Sequence, residues 1–191
     1  MKLVDKVLFR DRHTCPWWLC FIFDNPLRRL IQDPDLILRD LVKAGQAVLD
    51  IGCGMGYFSL PLARLVGEKG TVICVDMQPE MLEATRRKAA KAGLDSRMRF
   101  QRCTENSLGL TTAADFALAF WMVHEVSHQE TFLEEIKESL NPAGTLLIAE
   151  PKLHVTRADF NKTVSTALHV GFVIAAEPAV PMSTAVLLRR I

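Results

Sequence analysis

Apolar and polar positions along this chain are segregated into blocks. Ala47–Ile51, Thr71–Val75 and Phe116–Phe120 are apolar almost throughout, the signature of strands buried on both faces. Between them lie stretches whose apolar residues recur one turn apart, which predict amphipathic helices. Asp33-Pro34 joins an N-cap to a proline at the first helical position and predicts a helix through Leu36, Ile37, Asp40 and Leu41, stopping at Gly45. Further helices are expected from about Tyr57 to Val66 and from Pro79, through Met81, Leu82, Ala89 and Ala92, to Gly93. Arg97–Arg102 reads as a third strand. Gln129–Leu140 reads as a helix with Phe132, Leu133, Ile136 and Leu140 on one face. Asn141-Pro142-Ala143-Gly144 predicts a turn before a fifth strand, Thr145–Ala149. Thr156 and Asp159 form a capping pair for a last helix carrying Phe160, Val164, Ala167 and Leu168. Phe172–Ala176 and Ala185–Leu188 close the chain as two strands.

Strands alternating with helices imply an α/β fold, a mostly parallel sheet of seven strands covered by helices on both faces. The last two strands, joined without a helix, predict an antiparallel hairpin at one edge. Residues 1–33 are irregular in pattern and rich in aromatics, so they read as a separate segment before a domain spanning 34–191.

Composition narrows the function classes. Hydrophobic residues make up 49% and charged residues 24% of the 191, enough apolar material for one full globular core. Lys plus Arg is 23 against Asp plus Glu 22, so the basic excess of a nucleic-acid binder is missing. Arg86, Arg87, Lys88 and Lys91 read as the solvated face of a helix. The five cysteines are odd in number and sit mostly in apolar runs. With no signal peptide at Met1, they read as thiols in a reducing cytoplasm. The apolar run from Pro16 to Phe23 is far shorter than the ~20 residues a membrane span needs. Monomer and homodimer are both open.

The chemistry concentrates in Val48-Leu49-Asp50-Ile51-Gly52-Cys53-Gly54-Met55-Gly56. A buried strand runs into a turn with three alternating glycines, and a helix follows at once. Open α/β sheets bind nucleotides at this carboxyl-end crevice. A nicotinamide dinucleotide would want Gly-x-Gly-x-x-Gly to seat its diphosphate. Here the third glycine comes one position early, and Tyr57 stands where the last glycine belongs. Asp50, a carboxylate at the strand end, suits a cationic ligand better than a diphosphate. Asp76 ends the second strand in Ile73-Cys74-Val75-Asp76-Met77, where a carboxylate takes ribose hydroxyls and Met77 packs on a base. A helix cap before Pro79 is the other role open to Asp76.

Together with Ala114-Asp115-Phe116-Ala117-Leu118 and Leu140-Asn141-Pro142-Ala143-Gly144-Thr145-Leu146-Leu147-Ile148, these motifs make residues 46–151 resemble the class I, Rossmann-like S-adenosylmethionine-dependent methyltransferases. The similar group includes the ubiquinone/menaquinone and arsenite methyltransferases. The resemblance implies S-adenosylmethionine as cofactor, held by Asp50, Gly52, Cys53, Gly54, Gly56, Asp76, Met77 and Phe120. It departs at Arg102-Cys103-Thr104-Glu105-Asn106, where Cys103 fills the slot of the aspartate that usually touches the adenine amino group. The backbone amide of Thr104, or else Glu105, is then expected to hold the base.

His124-Glu125-Val126-Ser127-His128 spells the zinc-hydrolase pattern His-Glu-x-x-His. That pattern works on one helix, whereas here it spans the exit from a strand and the start of a helix, so no metal site is expected. The resemblance instead places His124 and Glu125 beside the transferable methyl, with His124 a candidate general base. Capping the next helix is the equal alternative. The resemblance also implies that residues 1–33 form a lid over the active site, with His13, Trp17 and Trp18 as candidate walls for the acceptor pocket. Core packing, or metal or metalloid binding with Cys15 and Cys20, stays open for that cluster. Phe120-Trp121-Met122-Val123 stands where methylases of nucleic-acid adenine or protein glutamine carry an Asn-Pro-Pro-Tyr-type tetrapeptide, so a small-molecule acceptor is expected. A nicotinamide oxidoreductase, a zinc hydrolase through His124, Glu125 and His128, and a non-catalytic binder are the competing readings.

Overall fold

The computed structural model describes residues 28–191. Short helices α1 (Arg28–Ile31) and α2 (Pro34–Leu38) lead into β1 (Ala47–Ile51), α3 (Ser59–Val66), β2 (Thr71–Asp76), α4 (Pro79–Lys91), β3 (Met98–Arg102) and β4 (Ala114–Phe120). The chain continues with α5 (Gln129–Glu138), β5 (Leu140–Pro151), α6 (Arg157–His169), β6 (Phe172–Ala176) and β7 (Ser183–Arg190). The strands form one seven-stranded sheet in the order β3-β2-β1-β4-β5-β7-β6. Pairing is parallel from β3 across to β5, and antiparallel where β7 lies between β5 and β6. The expected doubly covered sheet and its antiparallel edge pair are both present.

The order reverses between β1 and β4, since β2 and β3 go one way and β5 the other. That switch point opens a crevice at the carboxyl ends of the strands. The two faces are read out by alternate residues. Val48, Val72, Cys74, Phe116 and Leu118 pack under α2, α3 and α4. Leu49, Ile51, Ile73, Val75, Ala117 and Ala119 pack under α5 and α6. Burial on both sides is why these strands are apolar at consecutive positions.

Several boundaries differ from the sequence pattern, two of them by more than two residues. α2 ends at Leu38 and the chain turns before Gly45. Beyond Leu38 the amides of Leu41 and Val42 both turn back to the Leu38 carbonyl, at 2.9 and 3.0 Å, and Val42 stays buried in the core. β5 begins at Leu140, opposite Ala114, and Phe116 then faces Thr145. The expected Asn141–Gly144 turn is therefore an outward bulge inside a continuing strand, with Ala143 at φ +63°. Asp115 clips this corner. Its carboxylate accepts from the Ala47 amide at 2.9 Å and from Asn141 Nδ2 at 2.8 Å. Thr156 caps α6 through the Asp159 amide at 3.2 Å, as the capping pair predicts.

Candidate cofactor and active site

The turn from Gly52 to Gly56 is held from several directions. The amides of Gly52 and Cys53 both donate to the Val75 carbonyl, at 2.8 and 3.1 Å, which ties the turn to β2. From α4, Thr85 Oγ1 donates to the Gly54 carbonyl at 2.9 Å and Lys88 Nζ to the Met55 carbonyl at 3.0 Å. Lys88 is thus not merely part of a solvated face; its ammonium reaches the glycine turn. Sequence reasoning missed both residues. Thr85 lies one turn beyond Met81 on the buried face, and that position is the signal it left.

Gly56 has φ +83°, and a Cβ there would sit 2.8 Å from Thr85 Cγ2 and 2.9 Å from Leu60 Cδ1. Left-handed backbone and close approach together make Gly56→Ala costly, about 2 kcal/mol by urea denaturation. An unchanged midpoint would refute this. A Cβ on Gly54, in contrast, meets nothing within 4 Å, so that part of the turn faces open space where a ligand can lie against main chain.

Two carboxylates flank this space. Asp50 is 3% exposed and accepts a short hydrogen bond from Ser59 Oγ, at the start of α3. Burial drives its pKa up to about 7, against the Ser59 hydrogen bond and with help from the Asp76 charge. Asp76 accepts from the Gly54 amide and from the Gln78 amide, each at 2.9 Å and each on a different oxygen. Burial also raises its pKa, opposed by amide hydrogen bonds from Gln78, Gly54 and Met77. A carboxylate has about four lone-pair sites, so Asp76 caps α4 and still has capacity for a ligand. The Cys53 thiol is pushed up by a hydrogen bond with Cys74, by burial and by the two nearby aspartates, and it stays neutral. Among the described residues neither Asp50 nor Asp76 is paired with a cation.

On the β3 side, Met77 is half-exposed and Cys103 half-buried beside Asp76. Burial raises the Cys103 thiol to about 11. The Thr104 amide, expected to reach the adenine, is spent instead on the Ser107 carbonyl at 2.9 Å. The loop after β3 closes on itself there, and Glu135 of α5 anchors it through the Leu108 amide at 2.6 Å. Glu105 is exposed and accepts from Ser127 Oγ at 3.5 Å.

On the β4 side the wall is aromatic. Phe120 stacks on Phe58 with centroids 4.3 Å apart, and Trp121 follows it at 5.6 Å. Trp121 has φ +60°, a strained conformation for a bulky residue. It is held by its amide to Ala149 and by Nε1 to Ser183 Oγ, both at 2.8 Å. The Arg28 guanidinium lies 4.3 Å above the Tyr57 ring and 4.8 Å above that of Trp121. Gln32, 1% exposed, seats this segment by donating to the Pro181 carbonyl, while Tyr57 donates to the Gln32 carbonyl. His13, Cys15, Trp17, Trp18 and Cys20 lie outside the described residues.

His124 and Glu125 sit on a 3-10 turn, Val123–Glu125, and His128 precedes α5 as its N-cap residue. The five residues of the zinc-like pattern therefore do not share a helix. His124 Nδ1 lies 2.6 Å from Glu150 Oε2, and its amide donates to Glu150 Oε1 at 3.1 Å. Met122 brings this turn to the cradle: its Cγ is 2.9 Å from where a Cβ on Gly52 would stand.

A switch-point crevice with a glycine turn, two strand-end acids and an aromatic wall defines a class I S-adenosylmethionine-dependent methyltransferase. Residues 42–172 match the family model described as a methyltransferase domain, and the chain belongs to that family. It is similar to the ubiquinone/menaquinone biosynthesis C-methyltransferase UbiE of Haemophilus ducreyi, 30% identical over 110 residues, 57% of this chain and 42% of that protein. Methyltransferase GfsG of Streptomyces halstedii is 31% identical over 134 residues, 69% of this chain and 45% of that protein. The chain thus spans less than half the length of these curated relatives. A SAM dependent methyltransferase from Aquifex aeolicus superposes with TM-score 0.85 and 26% identity, over 93% of this chain and 100% of that one. S-adenosylmethionine is the cofactor of this class, and the residues fit it: a carboxylate at each strand end and open space over Gly54.

Proposed function

We propose that this chain transfers a methyl group from S-adenosylmethionine to a small-molecule acceptor by in-line displacement. The observation that carries the reading is the pair of buried acids, Asp50 and Asp76, with no cationic partner among the described residues. Uncompensated buried carboxylates are expensive, and a ligand carrying an ammonium and a sulfonium relieves that cost. Asp50 would orient the ammonium, Asp76 the ribose hydroxyls, and Met77 and Phe120 would pack on the flat and apolar parts. When bound, S-adenosylmethionine supplies a methyl already activated on positive sulfur. The chain's task is then to align the acceptor and keep water out. The aromatic wall of Tyr57, Phe58, Phe120 and Trp121 serves the second role.

Two observations support a small acceptor. UbiE, a similar protein, is named for C-methylation in ubiquinone/menaquinone biosynthesis, and basic and acidic residues are balanced in this chain. We place the activity in the cytoplasm, in keeping with three free thiols, Cys53, Cys74 and Cys103, among the described residues. No helix among the described residues is long and apolar enough to cross a membrane.

Calorimetry with S-adenosylhomocysteine tests the reading. Asp50 titrates near pH 7 in the free protein, and an arriving ammonium lowers its pKa. Binding at pH 7 should therefore release up to roughly half a proton from Asp50, and much less at pH 8. Titrations in buffers of different ionisation enthalpy measure that release. Binding of a diphosphate dinucleotide in place of S-adenosylhomocysteine would overturn the assignment.

A further inference from the structure

We propose that Glu150 holds His124 so that its Nε2 faces the methyl acceptor as a proton acceptor, and that the acceptor is therefore a group that sheds a proton on methylation. The inference rests on the methyltransferase reading and adds to it a positioning residue and an acceptor chemistry. Phenols, enols, thiols and N–H amines belong to this class; tertiary amines and thioethers do not.

The geometry is specific. Glu150 stands near the end of β5, next to the 3-10 turn that follows β4. One of its oxygens takes the His124 ring and the other takes the His124 backbone amide, at 2.6 and 3.1 Å. An ionised carboxylate only accepts, so Nδ1 carries a proton, and in the neutral ring Nε2 then holds the lone pair. No hydrogen bond among the described residues uses Nε2. The carboxylate is 2% exposed and the imidazole 20%, so the ring is the more open member of the pair. Met122, two residues earlier, touches the glycine turn, which sets the His124 turn beside the cradle.

A loop clip alone does not call for this arrangement. A buried carboxylate carries a desolvation cost that a neutral amide in the same place would avoid. The charge is worth that cost where an imidazolium forms in front of it. The groups facing the ring are Glu150 from β5, Glu125 from its own turn and His154, whose ring meets it edge-on at 4.9 Å. Burial by itself would lower the His124 pKa, but the Glu150 hydrogen bond and the charges of Glu150 and Glu125 outweigh it and raise it.

In the reaction, the acceptor's lone pair forms the bond to the methyl carbon and the carbon–sulfur pair stays on sulfur. The acceptor's proton moves to Nε2, and the resulting imidazolium is balanced by Glu150. The proton leaves to solvent once the product departs.

The test uses the full chain and three readouts. Nitrogen-15 histidine spectra should show the Nδ1–H tautomer for His124, and Glu150→Gln should lower its pKa. Turnover is followed with methyl-labelled donor and four probes: catechol, thiophenol, benzylamine and triethylamine. The proton-bearing probes should be methylated and triethylamine should not. His124→Gln should lower kcat about 100-fold, the range for a positioned general base, with S-adenosylhomocysteine affinity within a few-fold of wild type. Added imidazole should restore part of the turnover of His124→Ala, which a merely structural role would not allow. In Glu150→Gln the acid limb of the pH profile should move to lower pH. The opposite tautomer in the wild type, a His124 pKa unmoved by Glu150→Gln, or turnover confined to triethylamine or absent from every probe would overturn the proposal. Failure of the wild type to bind S-adenosylhomocysteine would instead bring down the methyltransferase reading itself. The tautomer is read on the wild type, so a Glu150→Gln chain that does not fold leaves the proposal exposed to refutation.

Discussion

Asp50→Asn should make the free protein more stable at pH 8 while weakening its hold on S-adenosylhomocysteine at least 10-fold. The folded-state pKa of Asp50 is raised by burial to about 7, from an ordinary 3.8. The folded state therefore binds the proton more tightly than the unfolded chain does. Its carboxyl imposes no penalty below pH 4, a growing one from pH 4 to 7, and the full one above pH 7. A rise of that size corresponds to roughly 4 kcal/mol. Asparagine keeps an oxygen to accept from Ser59, but its amide hydrogens lack partners, which costs about 1–2 kcal/mol. A net gain of about 2–3 kcal/mol is expected at pH 8, falling through zero to a loss of about 1–2 kcal/mol near pH 4. Urea denaturation at both pH values checks it. A gain independent of pH, or a loss at pH 8, would show that Asp50 is not the buried acid described. The trade of stability for affinity is what a ligand carboxylate is expected to show.

Asp76→Ala should weaken S-adenosylhomocysteine binding by roughly 1.5–3 kcal/mol, about 10- to 150-fold in Kd. Part of that loss is direct, from the ribose hydroxyls. The rest is indirect. Without the carboxylate, the amides of Gly54 and Gln78 lose their partner, and the turn loses one of the ties that shape it. Asp76→Asn separates the two parts: it keeps an acceptor for one amide but gives up the charge. Isothermal titration on both variants, beside a thermal melt of each, distinguishes lost contact from lost loop. Wild-type affinity in Asp76→Ala would remove this residue from the cradle.

Much of the architecture was legible along the chain. Strands buried on both faces must be apolar at every position, and a turn that brings main chain against a ligand needs small residues, so β1, the glycine turn and β2 stand out. The cap of α6 was readable for a similar reason, because Thr156 and Asp159 act within one turn. What local pattern missed came from far along the chain. Lys88 reads as solvated until α4 folds over Met55. The Thr104 amide reads as available until Ser107 returns to take it. The bulge at Asn141–Gly144 depends on the register of β5 against β4.

By itself the sequence determined the strand–helix alternation, the glycine turn with an acid at each adjoining strand end, and with them the cofactor class. These are short-range properties, set by backbone freedom and by burial on one or two faces. Only the tertiary structure decided that two acids meet without a cation among the described residues, and that Glu150 of β5 grips His124 after β4. Sheet order makes those strands neighbours, and hydrogen-bonded charge pairs form by distance in space, which spacing in sequence does not encode.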